Sequence, residues 1–122
     1  MADTQLTEII AALHQRLAPE GRVDKSINFL SYSGDRYLRN APQIVCADGF
    51  SMSVQASHAH YCTPRDSEGP WTAVEVGYPS AKVDAFMPHI DGDGAPTDTV
   101  YGYVPLEIVA QTILEHGGFV AA

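Results

Sequence analysis

The feature that most constrains this chain is an alternation of period two, Phe50-Ser51-Met52-Ser53-Val54-Gln55-Ala56-Ser57. Phe50, Met52, Val54 and Ala56 fall on one face of an extended strand, and Ser51, Ser53, Gln55 and Ser57 on the other. Such a segment is half buried, which favours an antiparallel sheet with one face packed and the other wet. Asp48-Gly49 just before it is a two-residue hairpin signal. That turn predicts a partner strand in which Val45 faces Met52 and Ala47 faces Phe50.

Helical spacing brackets the strand region. Leu6, Ile9, Ile10, Leu13 and Leu17 form one apolar stripe of period 3.6, with Asp3 or Thr4 available as a cap and Pro19 and Gly21 as a stop. Leu106, Val109, Ala110 and Ile113 form a second stripe, opened by Pro105 at the first helical position and closed by Gly117-Gly118. Between the first helix and the hairpin, Ile27 and Phe29 suggest an extended stretch and Ser33-Gly34-Asp35 a turn. Further strands are expected at Trp71–Tyr78 and Thr99–Val104, preceded by the polar loops 63–70 and 91–98. The expected fold is therefore α+β, a single domain over residues 1–122. It has an antiparallel sheet of about four or five strands covered by an N-terminal and a C-terminal amphipathic helix, and a Ser-rich sheet face left open for contact.

Charge is distributed unevenly. Residues 1–40 are balanced, whereas residues 41–122 hold ten acids against Arg65 and Lys82, so the whole net charge of −8 lies there. A field of this sign repels phosphate backbones and anionic lipid and draws basic partners inward. Direct nucleic-acid or membrane binding is disfavoured, and Asp66, Glu68, Asp91, Asp93 and Asp98, all in loops, become the expected partner contacts. No apolar run is long enough to span a bilayer, and the start lacks a basic, apolar leader pattern, so a cytoplasmic location is expected.

His58-Ala59-His60-Tyr61-Cys62 is the densest group of metal-binding residue types. On a continued strand His58 and His60 would share a face, but Cys62 would lie about 13 Å from His58, too far to share one ion. A fourth ligand, Cys46 or His89, would have to come from elsewhere, so the spacing predicts no metal site and no cofactor. In the Asp48-Gly49 register Cys46 and Cys62 point to opposite faces, which predicts two free thiols. Arg65 near Cys62 invites a nucleophilic reading, yet Thr63-Pro64 supplies too few backbone N–H groups for a phosphate cradle. A loop anchor pairing Arg65 with Asp66 or Glu68 is expected instead. The 91–98 loop lacks the glutamate that closes a calcium loop and reads as an exposed acidic turn. Of Tyr61, Trp71, Tyr78, Tyr101 and Tyr103, most are expected in the core, with the rest available at an interface.

Five blocks taken together, Cys46–Ser57, His60–Arg65, Gly69-Pro70-Trp71, Val74–Pro79 and Val100–Pro105, resemble short proteins of unassigned function carried by bacteriophages and other mobile elements. The similarity covers roughly residues 42–118. It implies a genomic setting in which small acidic proteins are often inhibitors of host defence, anti-CRISPR proteins among them, and it supplies no catalytic residues. The resulting expectation is a non-enzymatic acidic protein in the host cytoplasm. It would inhibit a nucleic-acid-binding defence complex, a protein or ribonucleoprotein such as a CRISPR effector, by occupying its basic surface. The alternatives are a small metal- or ligand-binding enzyme using His58, His60 and Cys62, and a phage structural or assembly subunit, which self-association as a homodimer would favour.

Overall fold

The computed structural model describes residues 2–120; Met1, Ala121 and Ala122 of the expected domain lie outside the described residues. The chain forms α1 (Ala2–Leu17), β1 (Ile44–Val45), β2 (Ser51–Gln55), β3 (Ala73–Gly77), β4 (Val100–Pro105) and α2 (Leu106–Glu115), with short 3-10 turns at Pro19–Gly21 and Asp84–His89. The four strands form one antiparallel sheet in the order β1-β2-β3-β4. This is the expected α+β architecture. Because α1 begins at Ala2, Asp3 and Thr4 lie in its first turn rather than at its cap.

Both apolar stripes meet the same side of the sheet. Leu13 and Leu17 of α1 and Val109, Ala110 and Ile113 of α2 are buried with Met52, Val54, Val74, Val76, Tyr101 and Val104. Each aliphatic side chain fully removed from water there contributes about 1.5–3 kcal/mol. Beyond His116, Gly117 and Gly118 take φ values of +91° and +87°. The Gly118 N–H reaches the Ile113 carbonyl at 2.9 Å and the Gly117 N–H reaches that of Leu114 at 3.1 Å. This Schellman geometry is open to glycine without a Cβ penalty.

The hairpin register differs from the expected one by a residue. Ile44 faces Met52 and Val45 faces Ser51, because the turn has three residues, Ala47-Asp48-Gly49. The Gly49 N–H bonds the Cys46 carbonyl at 2.9 Å, Gly49 adopts φ +93°, and the Asp48 carboxylate accepts the Phe50 N–H at 2.9 Å. A one-residue slip exchanges faces, so Ile44 and Cys46 are buried and Val45 is exposed. Cys46 therefore shares the Met52 side, which removes the facing argument against a bridge with Cys62; both thiols are nonetheless free and buried.

Neither sheet edge is left bare. Along β1, the Ala47 N–H bonds the Gly118 carbonyl and the Val120 N–H bonds that of Val45, both at 2.9 Å. Along β4, the Asp91 N–H bonds the Val100 carbonyl and the Tyr103 N–H that of Tyr61, both at 3.0 Å. Such pairing satisfies backbone groups that would otherwise template association.

The second sheet face is less open than the alternation implies. Ser51 and Ser53 are half-buried, while Gln55 and Ser57 are buried. The Gln55 amide bonds both the N–H and the C=O of Ala41, at 2.7 and 2.9 Å, and so ties the 40–42 segment over that face. Residues 22–39 form an irregular hairpin. Its legs join where the Arg39 N–H meets the Arg22 carbonyl at 2.7 Å and the Asp24 N–H meets that of Tyr37 at 2.9 Å. Its tip turns between Ser31 and Asp35 and exposes Phe29, Leu30 and Tyr32.

Candidate binding surface

The most irregular part of the sheet lies on β4. Val74 pairs with Val104 and Val76 with Tyr101, so Gly102 and Tyr103 together oppose Glu75. This bulge re-aims the strand's side chains. Tyr101 and Val104 remain in the core, while Tyr103 turns outward at φ +55° and is 47% exposed. A non-glycine residue at positive φ is uncommon and costs of order 1–3 kcal/mol. It is held by the bond from its N–H to the Tyr61 carbonyl.

Tyr61 reaches this place because the strand stops at Gln55 and the chain turns through Ser57–Cys62. Its own N–H bonds the Glu75 carboxylate at 3.2 Å. Its side chain lies over Gly102, where an added Cβ would stand 3.1 Å from the Cβ of Tyr61. The rings of Tyr61 and Tyr103 have centroids 6.0 Å apart and planes inclined by 37°. With Pro88, His89, Ile90, Asp91 and Gly102 they wall a cleft of about 410 Å³. Asp91 opens the 91–98 loop, on which Asp91, Asp93 and Asp98 are exposed.

The other two acids are engaged within the molecule. One carboxylate oxygen of Asp66 accepts the N–H groups of Glu68 and Gly69 at 3.0 and 2.9 Å, and Glu68 pairs with Arg36 at 3.2 Å. They belong to the loop entering β3 at Ala73, whereas the 91–98 loop enters β4 at Val100, opposite Gly77. The two acidic loops thus join the sheet at opposite ends of β3, whose ends lie about 13 Å apart. Arg65 pairs with neither Asp66 nor Glu68, contrary to the expected anchor. Its guanidinium carbon lies 5.1 Å from the centroid of Tyr61, and its Nε bonds the His58 carbonyl at 3.3 Å.

The His58, His60 and Cys62 side chains do not converge. His58 Nδ1 lies 3.0 Å from Ser67 Oγ with its ring edge-on to Tyr37, whereas His60 Nδ1 lies 2.7 Å from Ser57 Oγ. The Cys62 thiol donates to the carbonyls of Ser57 and Pro64 at 3.2 and 3.3 Å. Among the described residues no three His, Cys, Asp or Glu side chains group closely enough to hold a metal ion. Burial pushes the Cys62 thiol above its ordinary pKa and the His60 imidazole below its own. A buried, protonated thiol is a poor nucleophile.

Of the aromatic residues singled out in the sequence, Trp71 and Tyr101 are core residues while Tyr61, Tyr78 and Tyr103 are exposed. Most are therefore not internal, and Gly102 is the reason for Tyr103. An isolated glycine between two tyrosines in a strand is a bulge signal, and the bulge is what turns Tyr103 outward. No local sequence signal marks Arg22 either. It is buried, with its guanidinium donating to the carbonyls of Leu17, Arg39 and Ala56, each at 2.9 Å.

Comparison with protein-family models, curated proteins and solved structures finds no match. Among the described residues no helix is long and apolar enough to cross a membrane. Fold and surface define an α+β domain of four antiparallel strands and two helices, bearing an aromatic cleft beside an acidic loop.

Proposed function

We propose that this chain is a non-enzymatic binding protein that presents the 91–98 loop and the adjoining Tyr61–Tyr103 cleft to a basic surface on a protein partner. The carrying observation is their continuity: Asp91 is both a wall of the cleft and the first residue of the exposed acidic loop. Exposed tyrosines contribute large contact area at small entropic cost, and surrounding carboxylates steer a basic partner into register. The resemblance to phage-borne proteins supplies the finer reading, in which the basic surface belongs to a host nucleic-acid-binding defence complex and its occupation is inhibitory.

Capture from bacterial lysate at low and high salt tests this. A nucleic-acid-binding complex retained at low salt is expected to be released at high salt. It should also be lost when Asp91, Asp93 and Asp98 are replaced together by Asn. Retention insensitive to salt and to these substitutions would overturn the reading. The exposed Phe29, Leu30 and Tyr32 favour a second reading, an assembly subunit. Concentration-dependent self-association abolished by Tyr32→Ser would be its sign.

A further inference from the structure

We propose that the Tyr61–Tyr103 cleft is a receptor for one guanidinium group, the side chain of an arginine on the partner. The inference rests on the binding reading above and names the chemistry its central pocket accepts.

Three observations combine. First, the two rings are walls of the cleft, tilted by 37° with centroids 6.0 Å apart. A cation seated over either ring lies within the roughly 6 Å over which an aromatic face attracts positive charge. Second, Asp91 is one of the cleft's walls and opens a loop on which Asp93 and Asp98 are also exposed, so the cleft adjoins acidic charge suited to a cation. Third, Tyr61 already holds a guanidinium within the molecule, that of Arg65, which is not one of the cleft's walls. The same ring thus already accepts, within the molecule, the guanidinium chemistry proposed for the cleft.

Guanidinium suits the cleft better than ammonium does. It is planar, so it can lie against a ring, and it is weakly hydrated, so entering a half-apolar cleft costs it less. Its fork of N–H donors can bond Asp91 while the plane contacts tyrosine. A neutral isostere retains the shape and loses the charge, and an extended nucleic-acid strand, which would also stack on tyrosines, is repelled by the acidic loop.

The test uses the whole chain and small probes in place of the partner. N-acetyl-arginine methylamide, its lysine counterpart and its citrulline counterpart are titrated separately into isotope-labelled protein while amide resonances are followed. The arginine probe should produce saturable shifts at Tyr61, Gly102, Tyr103 and Asp91, with citrulline weaker by about ten-fold or more, as expected when a cation–π contact and a charge-assisted bond are both lost. Tyr103→Leu should abolish those shifts while the remaining spectrum is preserved, and Asp91→Asn should weaken binding several-fold. Equal binding of citrulline, no saturable shift at the cleft, or undiminished binding by the folded Tyr103→Leu variant would overturn the assignment. Lysine binding as tightly as arginine would overturn the choice of guanidinium.

The two readings fail separately. Partner capture that depends on Asp91, Asp93 and Asp98 but survives Tyr103→Leu removes the cleft proposal and leaves the acidic surface. Arginine-probe binding without any salt-sensitive partner removes the acidic-surface reading and leaves the cleft.

Discussion

Replacing Tyr103 by glycine and, separately, by alanine isolates the backbone strain at the cleft. Both substitutions remove the aromatic ring and the burial it has in the native fold, so what that loss costs cancels between them to first order. Both also keep the N–H that bonds Tyr61. They differ in the backbone at φ +55°. A residue with a Cβ pays about 1–2 kcal/mol in the left-handed region, which glycine does not. Glycine loses about 0.5–1 kcal/mol more than alanine through its freer unfolded chain. The Tyr103→Gly variant should therefore be more stable than Tyr103→Ala by about 0.5–1 kcal/mol, the reverse of the order at an ordinary strand position. Urea unfolding with a common m-value measures the difference, and a thermal scan should show it as a few degrees in Tm for a domain of this size, roughly 2–5 °C. An alanine variant as stable as the glycine variant, or more so, would refute the claim that Tyr103 is held in a strained conformation. Tyr78, at φ +51° and also exposed, should show the same order. If the strained tyrosine serves binding, the glycine variant should lose arginine-probe binding despite its relative stability.

Other outcomes follow from the polar interior. Because burial lowers the folded pKa of His60, the unfolded chain binds more protons just below the ordinary histidine value, about 6.5. Stability should accordingly fall as pH drops through that value, and His60→Gln should flatten this part of a pH–stability curve measured by urea unfolding. Asp48, whose carboxylate is held low first by the Phe50 amide and then by His116, contributes stability above the ordinary aspartate value of about 4, lost as pH falls below it. Asp48→Asn should reduce the acid sensitivity of the same curve. Cys46 and Cys62 are buried, with both thiols pushed up by burial, so a thiol reagent at neutral pH should react only at the rate at which the chain opens. Immediate stoichiometric labelling of folded protein would contradict that placement.

How much was legible depends on how local the signal is. The alternation Phe50–Ala56 buries the residues it marks, and the stripe Leu6–Leu17 buries Ile9, Leu13 and Leu17 and packs the half-buried Leu6 and Ile10 against the core, because helix and strand periodicity follow from backbone geometry within a few residues. The helix stop at Gly117-Gly118 was equally readable, since only glycine takes two successive positive φ values easily. The hairpin register was not. Asp48-Gly49 permits a two- or a three-residue turn, and the burial of Ile44 and Cys46, with pairing of the C-terminal Gly118–Val120 segment along β1, selects the longer one.

The sequence by itself determined the α+β class, the two helices that cover the sheet and the placement of all excess negative charge after residue 40, because composition and short-range periodicity survive without knowledge of contacts. Only the tertiary structure decided which charged and aromatic groups are free to act. It consumes Asp66 in loop amides and Glu68 in an ion pair with Arg36, sends His58 and His60 to separate serines, and seals Cys62. It also brings Tyr61, from the loop after β2, against Tyr103 on β4, forty-two positions later in the chain. That meeting depends on a bulge in β4, a glycine that leaves room for the Tyr61 side chain and a turn that ends β2, three features whose combined outcome no local pattern encodes.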